Sequence, residues 1–166
     1  MEKVTASEAI DLVSVRDAEA SDISAVLSVE ATGYEFPWSE AVFLDCFKEN
    51  YFFLVIEIEG KVVGYSIVSE IVGEAHLLNI CIDSNFYRQG LGAKLLNSTI
   101  ARCVQRSCDS ILLEVRESNL NAKLMYEKFG FELIGRRKNY YPSSEGREDA
   151  LMFQLGLKAV KISKYV

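Results

Sequence analysis

The sequence predicts an α/β (α+β) fold: a central mixed sheet of about six to seven strands with helices on both faces. Three observations lead there. Strand-like and helix-like runs alternate along the chain. Glu59-Gly60 and Val72-Gly73 join consecutive strand-like runs as tight turns. An amphipathic segment, Gly90 to Arg106, then separates two further apolar runs, which is the spacing of a helix between strands.

Taken in order, Leu12 to Arg16 reads as a first short strand. Ser21-Asp22 opens a helix whose apolar positions Ile23, Val26, Leu27 and Val29 recur at mixed i+3/i+4 spacing. Pro37 to Glu40 breaks the chain, and a second helix runs from about Ser39 to Phe47. Tyr51 to Ile58, Lys61 to Glu70 and Glu74 to Asp83 are three strands in succession. In the helix from Gly90 to Arg106, Leu91, Leu95, Ile100, Cys103 and Val104 share one side. Ile111 to Arg116 is a buried strand. Leu120 to Phe129 is a helix closed by Gly130, where a left-handed cap is wanted, with Phe131 latching behind it. Phe131 to Ile134 and Ala150 to Leu155 are two final strands around a polar loop, Lys138 to Asp149.

No repeat, low-complexity stretch or linker divides the 166 residues, so residues 1–166 read as one domain, with a core of about 12–155. At 49% hydrophobic and 25% charged, the composition is that of a globular chain. No apolar run reaches the roughly 20 residues of a membrane helix, so no membrane partner is expected. Met1 to Ile10 lacks a signal-peptide core, and the expected compartment is the cytoplasm. The four cysteines, Cys46, Cys81, Cys103 and Cys108, lack C-x-x-C spacing and stand with a single histidine, His76. They are expected to be free, mostly buried thiols, and no metal is expected. The net charge of −6 argues against nucleic acid and suits a basic partner.

Three segments carry chemistry. Arg88 to Ala93 (RQGLGA) lies between a strand and a helix. Its glycines let backbone N–H groups crowd inward, and the helix start adds a positive dipole end, so the loop can receive a pyrophosphate. It can equally be a plain turn capping a helix. In the strand Ile111 to Arg116, Ile111, Leu113 and Val115 share one face and Leu112, Glu114 and Arg116 the other. Glu114, expected to be buried there with a raised pKa, suits a general base, the alternative being a pair with Arg116 or Arg88. Asn119 and Tyr126, seven residues apart, fall on one helical face. Asn119 can cap the helix and meet a ligand, and Tyr126 can donate a proton, or the two are a cap and a core tyrosine.

The order strand, Arg-Gln-Gly-Leu-Gly-Ala loop, helix, strand with Glu, Asn-led helix with Tyr, then Gly-Phe resembles the GNAT acetyltransferases. FPWSE (Phe36 to Glu40), LEVRESN (Leu113 to Asn119), MYEKFGF (Met125 to Phe131) and RRKNYYPSSEGREDA (Arg136 to Ala150) resemble its RimI-type branch, from about Leu12 to Leu155. Gly156 to Val166 has no parallel there. The resemblance implies the acyl-CoA N-acyltransferase fold and acetyl-CoA as co-substrate. Arg88, Gln89, Gly90, Leu91, Gly92 and Ala93 would bind the pyrophosphate. Backbone groups of Ile80, Cys81 and Ile82, on a splayed strand, would hold the pantetheine and thioester, and Asn119 would contact the cofactor. Glu114 would be the base and Tyr126 the acid. The implied partner is the N-terminal segment of a ribosomal small-subunit protein.

Trp38 either borders the acceptor groove or packs the first helices. Tyr140 and Tyr141, aromatic residues in a polar loop, point to acceptor contact. Arg136, Arg137 and Lys138 read as a solvated strand end, and Cys81, with no adjacent base, as a small buried thiol. An α-amine has a pKa of about 7.7–8.0 against about 10.4 for a lysine amine, so a carboxylate base suffices for the former. A lysine, polyamine or antibiotic acceptor stays open on the residues alone, as does a non-catalytic acetyl-CoA-binding module.

Overall fold

A computed structural model describes residues 12–158. The readings of Met1 to Ile10 and of the tail beyond Lys158 lie outside the described residues. Seven strands form one sheet in the order β1-β2-β3-β4-β5-β7-β6. The elements are β1 (Val13–Asp17), a 3-10 turn (Ala20–Asp22), α1 (Ile23–Gly33), α2 (Glu40–Asp45), β2 (Tyr51–Ile58), β3 (Lys61–Ile71), β4 (Glu74–Ile82), α3 (Leu91–Gln105), β5 (Ser110–Arg116), α4 (Leu120–Lys128), β6 (Glu132–Ser143) and β7 (Gly146–Gly156). The sheet is mixed, because β4 and β5 run parallel while β1 with β2, β5 with β7 and β6 with β7 are antiparallel. Both expected tight turns form, with Glu59, Gly60, Val72 and Gly73 all at positive φ.

The described residues fall into two compact units. The first takes the described part of Met1–Ile67 and Asn79–Thr99, the second Val68–Leu78 and the described part of Ile100–Val166. In the first, β2 and the start of β3 are buried on consecutive residues, which is why they read as continuous apolar runs. Ile23, Val26 and Val29 of α1 pack with Phe43, Phe53, Val55 and Tyr65 into its core. Each such side chain contributes about 1.5–3 kcal/mol when removed from water. At Gly64 a Cβ would stand 2.5 Å from Ile82 Cδ1 and 2.8 Å from the Cys81 carbonyl. Only glycine lets β3 approach the end of β4 so closely.

In the second unit β5 alternates between buried and half-buried residues, as its sequence predicts. Gly130 ends α4 at φ 95°, and the Phe131 N–H donates to the Tyr126 carbonyl at 3.0 Å, the expected left-handed cap. One expectation is overturned. Lys138 to Asp149 is not a loop, because β6 runs to Ser143 and β7 begins at Gly146. Only two residues turn the hairpin. Charged residues and Pro142 disguised it, and they are tolerated because β6 is the exposed edge strand of the sheet.

Candidate active site

The first unit holds the residues expected on the cofactor side, except Asn119. Arg88 takes a left-handed conformation (φ 61°) and Gly90 another (φ 76°), immediately before α3 begins at Leu91. Non-glycine residues in that region cost energy, of order 1–3 kcal/mol, and cluster at ligand clamps. The Gly90 carbonyl accepts from the Lys94 N–H at 3.0 Å, so α3 opens its hydrogen bonding there. By helix geometry the N–H groups of Leu91, Gly92 and Ala93 lack intrahelical acceptors. Nothing stands within 4 Å of where a Gly90 Cβ would be. An anionic group fits such a start.

Ile80, Cys81 and Ile82 form the end of β4. The Tyr34 hydroxyl donates to the Ile80 carbonyl at 2.8 Å, so that carbonyl is already engaged from α1's side. Burial pushes the Cys81 thiol up to about 12, with Glu30 adding to the effect. It is therefore no thiolate at neutral pH, which agrees with the reading of a buried thiol over a nucleophile. Trp38 packs against Phe43 at 5.5 Å between centroids, partly buried beside the core.

Sequence reasoning missed one feature of this unit. Glu30 is 1% exposed, and its carboxylate accepts the Tyr65 hydroxyl, the Trp38 N–H at 2.9 Å and the Asn79 amide at 3.4 Å. The signal was present, because Glu30 lies seven residues after Ile23 on the buried face of α1.

The second unit holds Glu114, Asn119, Tyr126, Tyr140 and Tyr141. The parallel ladder of β4 with β5 runs from Glu74↔Ser110 to Leu77↔Leu113, so Glu114 is the first residue of β5 past it. On its other side Glu114 pairs with Met152 of β7. The expected deep burial is corrected, because the Glu114 side chain is 26% exposed on the half-covered face of the strand. Its partner is neither Arg116 nor Arg88 but Arg137, at 3.0 Å. Tyr140 is an electrostatic neighbour of Glu114 as well. Arg137 is thus exposed, as a solvated residue would be, but it lies within β6 rather than at a strand end and is paired with Glu114. Arg116 pairs instead with Glu148 at 2.7 Å and lies over the Tyr141 ring at 4.5 Å.

Tyr140 and Tyr141 meet edge to face at 5.0 Å. The neighbouring Glu114 carboxylate, then burial, raises the Tyr140 pKa, and burial pushes Tyr141 up to about 12. Asn119 caps α4, its side chain accepting from the Ala122 N–H at 3.1 Å. Tyr126 is 5% exposed, its ring against Phe131 at 5.6 Å and Phe153 at 6.4 Å. Burial above all holds its pKa above the ordinary value, so it keeps its proton at neutral pH. All four cysteines are buried and free, as expected. Among the described residues no group of three His, Cys, Asp or Glu could hold a metal, and no helix is long and apolar enough to cross a membrane.

Residues 15–131 match the acetyltransferase (GNAT) family. The chain belongs to that family. It is 37% identical over 141 residues to the ribosomal protein bS18-alanine N-acetyltransferase of Escherichia coli, covering 85% of this chain and 95% of that one. The Haemophilus influenzae enzyme of the same name is 34% identical over 139 residues, covering 83% and 94%. The crystal structure of the ribosomal-protein alanine N-acetyltransferase from Escherichia coli superposes with a TM-score of 0.85 at 35% identity, over 90% of this chain and 96% of that one. As a GNAT enzyme the chain has the acyl-CoA N-acyltransferase fold that its mixed seven-stranded sheet displays.

Proposed function

We propose that this GNAT enzyme acetylates the N-terminal α-amine of a protein, with acetyl-CoA as co-substrate and the N-terminal alanine of ribosomal small-subunit protein eighteen as its acceptor. The observation that carries the acceptor is the likeness to relatives named for that alanine, which covers 95% of the Escherichia coli enzyme's length. The acidic balance, net −6, supports a basic partner through attraction that salt would screen. In this reading all 166 residues serve one catalytic domain working in the cytoplasm, with neither nucleic acid nor membrane as a partner.

Acetyl-CoA supplies an activated acetyl group as a thioester and departs as a thiol. Arg88 to Ala93 hold its pyrophosphate, through the N–H groups that open α3. Backbone groups of Ile80 to Ile82 hold the pantetheine and steady developing oxyanion charge. Asn119 contacts the cofactor while capping α4. Glu114 takes the proton from the attacking amine, directly or through a water. Tyr126, kept protonated by burial, is the proton donor to the leaving group. Trp38, Tyr140 and Tyr141 border the acceptor.

The test compares two peptides by mass spectrometry. One begins with alanine followed by basic residues, and the other is matched but blocked at its terminus, with a free lysine. Acetylation of the first and little of the second is expected. Preference for the lysine peptide would reject the acceptor assignment and leave family membership untouched.

A further inference from the structure

In the second unit α4 packs on one face of the sheet, where Tyr126 meets Phe153 and Phe153 pairs with Leu113. The opposite face is made of the alternate residues, which line up in rows across the strands. One row joins Glu114 to Met152 and Gly135. The next joins His76, Leu112, Gln154 and Glu132, and the one after it pairs Glu74 with Ser110. None of these residues is buried. Leu78, two residues past His76 on β4, is 41% exposed.

A solvated sheet face ordinarily turns polar residues outward, but here Leu112, Leu78 and Met152 stand among them. Charge also changes along the face. The row on one side of Glu114 holds Arg116, Ala150 and Arg137, so its charges are positive. On the Leu112 side the charges are those of Glu132 and Glu74, the latter bonded to His76 at 2.7 Å. A cationic chain starting at Glu114 is therefore pushed from the arginines and drawn over Leu112 toward the two carboxylates. Rows on one face lie about 6.6 Å apart, and an extended peptide advances about 3.3 Å per residue. With the acceptor's amine at Glu114, its third residue lies over the Leu112 row and its fifth over the Glu74 row. An extended chain turns alternate side chains the same way, so the third and fifth face the sheet together.

We propose that this open face is the acceptor's docking surface: it binds an extended segment with an apolar third residue, held by Leu112, and a basic fifth residue, held by Glu74. This rests on the reading of Glu114 as the base for an α-amine. The face is continuous with that site, since Leu112 lies two residues before Glu114 on β5 and on the same side of the strand. An acceptor that reaches the base passes onto the face without leaving the sheet. Two anchors set apart along one strand select for sequence as well as for charge.

The experiment compares peptides of equal length that all begin with alanine, scored for acetylation at the terminus by the full chain. The first carries leucine third and arginine fifth, the second glycine and serine there, and the third leucine and glutamate. The first is expected to have a KM about tenfold below the second, with the gap narrowing as salt is added. Leu112→Gln should raise the KM of the first about fivefold and leave the second within about twofold. Glu74→Lys should raise the KM of the first about fivefold and lower that of the third, a swap that a folding defect does not produce. Equal KM for all three peptides, or variants that weaken all three alike, would overturn the inference. So would a wild-type dimer in sedimentation that Leu112→Gln turns into a monomer, because the face would then belong to a second copy. Two results separate its failure from that of the reading beneath it. If no peptide is acetylated at its terminus, or Glu114→Gln keeps full activity, that reading fails and takes the inference with it. Terminal acetylation of all three at one KM, beside an impaired Glu114→Gln, removes the inference alone.

Discussion

Among the described residues, two glutamate–tyrosine neighbours, one in each unit, are built for opposite ends. Glu30 and Tyr65 are both sealed in the core of the first unit, at 1% and 0% exposure. Three donors are spent on Glu30: a hydroxyl, a backbone N–H and an amide, each from a different segment. Glu114 and Tyr140 lie instead on a half-open strand face and an edge strand, with Arg137 as third member. A buried carboxylate that is fully satisfied locks neighbouring elements together, but no substrate reaches it. One at the surface adds little to stability, because water competes for it, and is free to exchange partners with an incoming amine. The same two residue types thus serve packing in one place and chemistry in the other.

The largest expected effect falls on the exposed pair. Glu114→Gln should lower turnover by about 10²–10⁴-fold, with the deficit shrinking as pH rises and more amine is already neutral. Its unfolding midpoint in urea should barely move, since an exposed ion pair contributes about 0–1 kcal/mol. Wild-type turnover at neutral pH would remove Glu114 from the mechanism. The mirror variant, Glu30→Leu, should do the reverse. It leaves the buried Tyr65 hydroxyl and the half-buried Trp38 N–H without their acceptor, at a cost of roughly 3 kcal/mol. Urea titration would show the loss, while acetyl-CoA affinity of the folded protein stays near wild type. A Glu30→Leu protein with an unchanged midpoint would break the contrast between the two pairs.

The contrast also explains what could be read in the sequence. β5 was legible to within one residue, because alternation along Ile111 to Arg116 reports directly on its two faces. The cap at Gly130 and the turns at Glu59-Gly60 and Val72-Gly73 were legible for the same reason, as local backbone chemistry. The place of Glu30 on the buried face of α1 was legible too, but its three donors were not, since they come from residues 38, 65 and 79 and no window of sequence contains them. Arg137 is exposed as its Arg-Arg-Lys run suggests, but its pairing with Glu114 is hidden until β6 is laid beside β7. The hairpin itself was hidden by its charges, which only an exposed edge strand can carry. Glu114 was found, yet its burial was overestimated, because an apolar strand face need not be a covered one.

The smallest effect concerns Tyr126, which combines features of both pairs. It is buried like Tyr65, at 5% exposure, but in the proposed reaction it acts on the leaving group. Burial raises its pKa above the ordinary value of about 10, so the hydroxyl is protonated throughout the neutral range and available as a donor. That same shift makes it a weak acid, and the departing thiolate, taken as similar to a cysteine near pKa ~8.5, leaves fairly well unaided. Tyr126→Phe keeps the ring against Phe131 and Phe153 and removes only the proton donor. Stopped-flow single turnovers should therefore show chemistry slowed by about tenfold or less, below the loss from Glu114→Gln. Acetyl-CoA affinity and the urea midpoint should stay near wild type. A Tyr126→Phe protein that unfolds readily, while its folded fraction turns over at the normal rate, would place this tyrosine with Tyr65 as packing and take it out of the reaction.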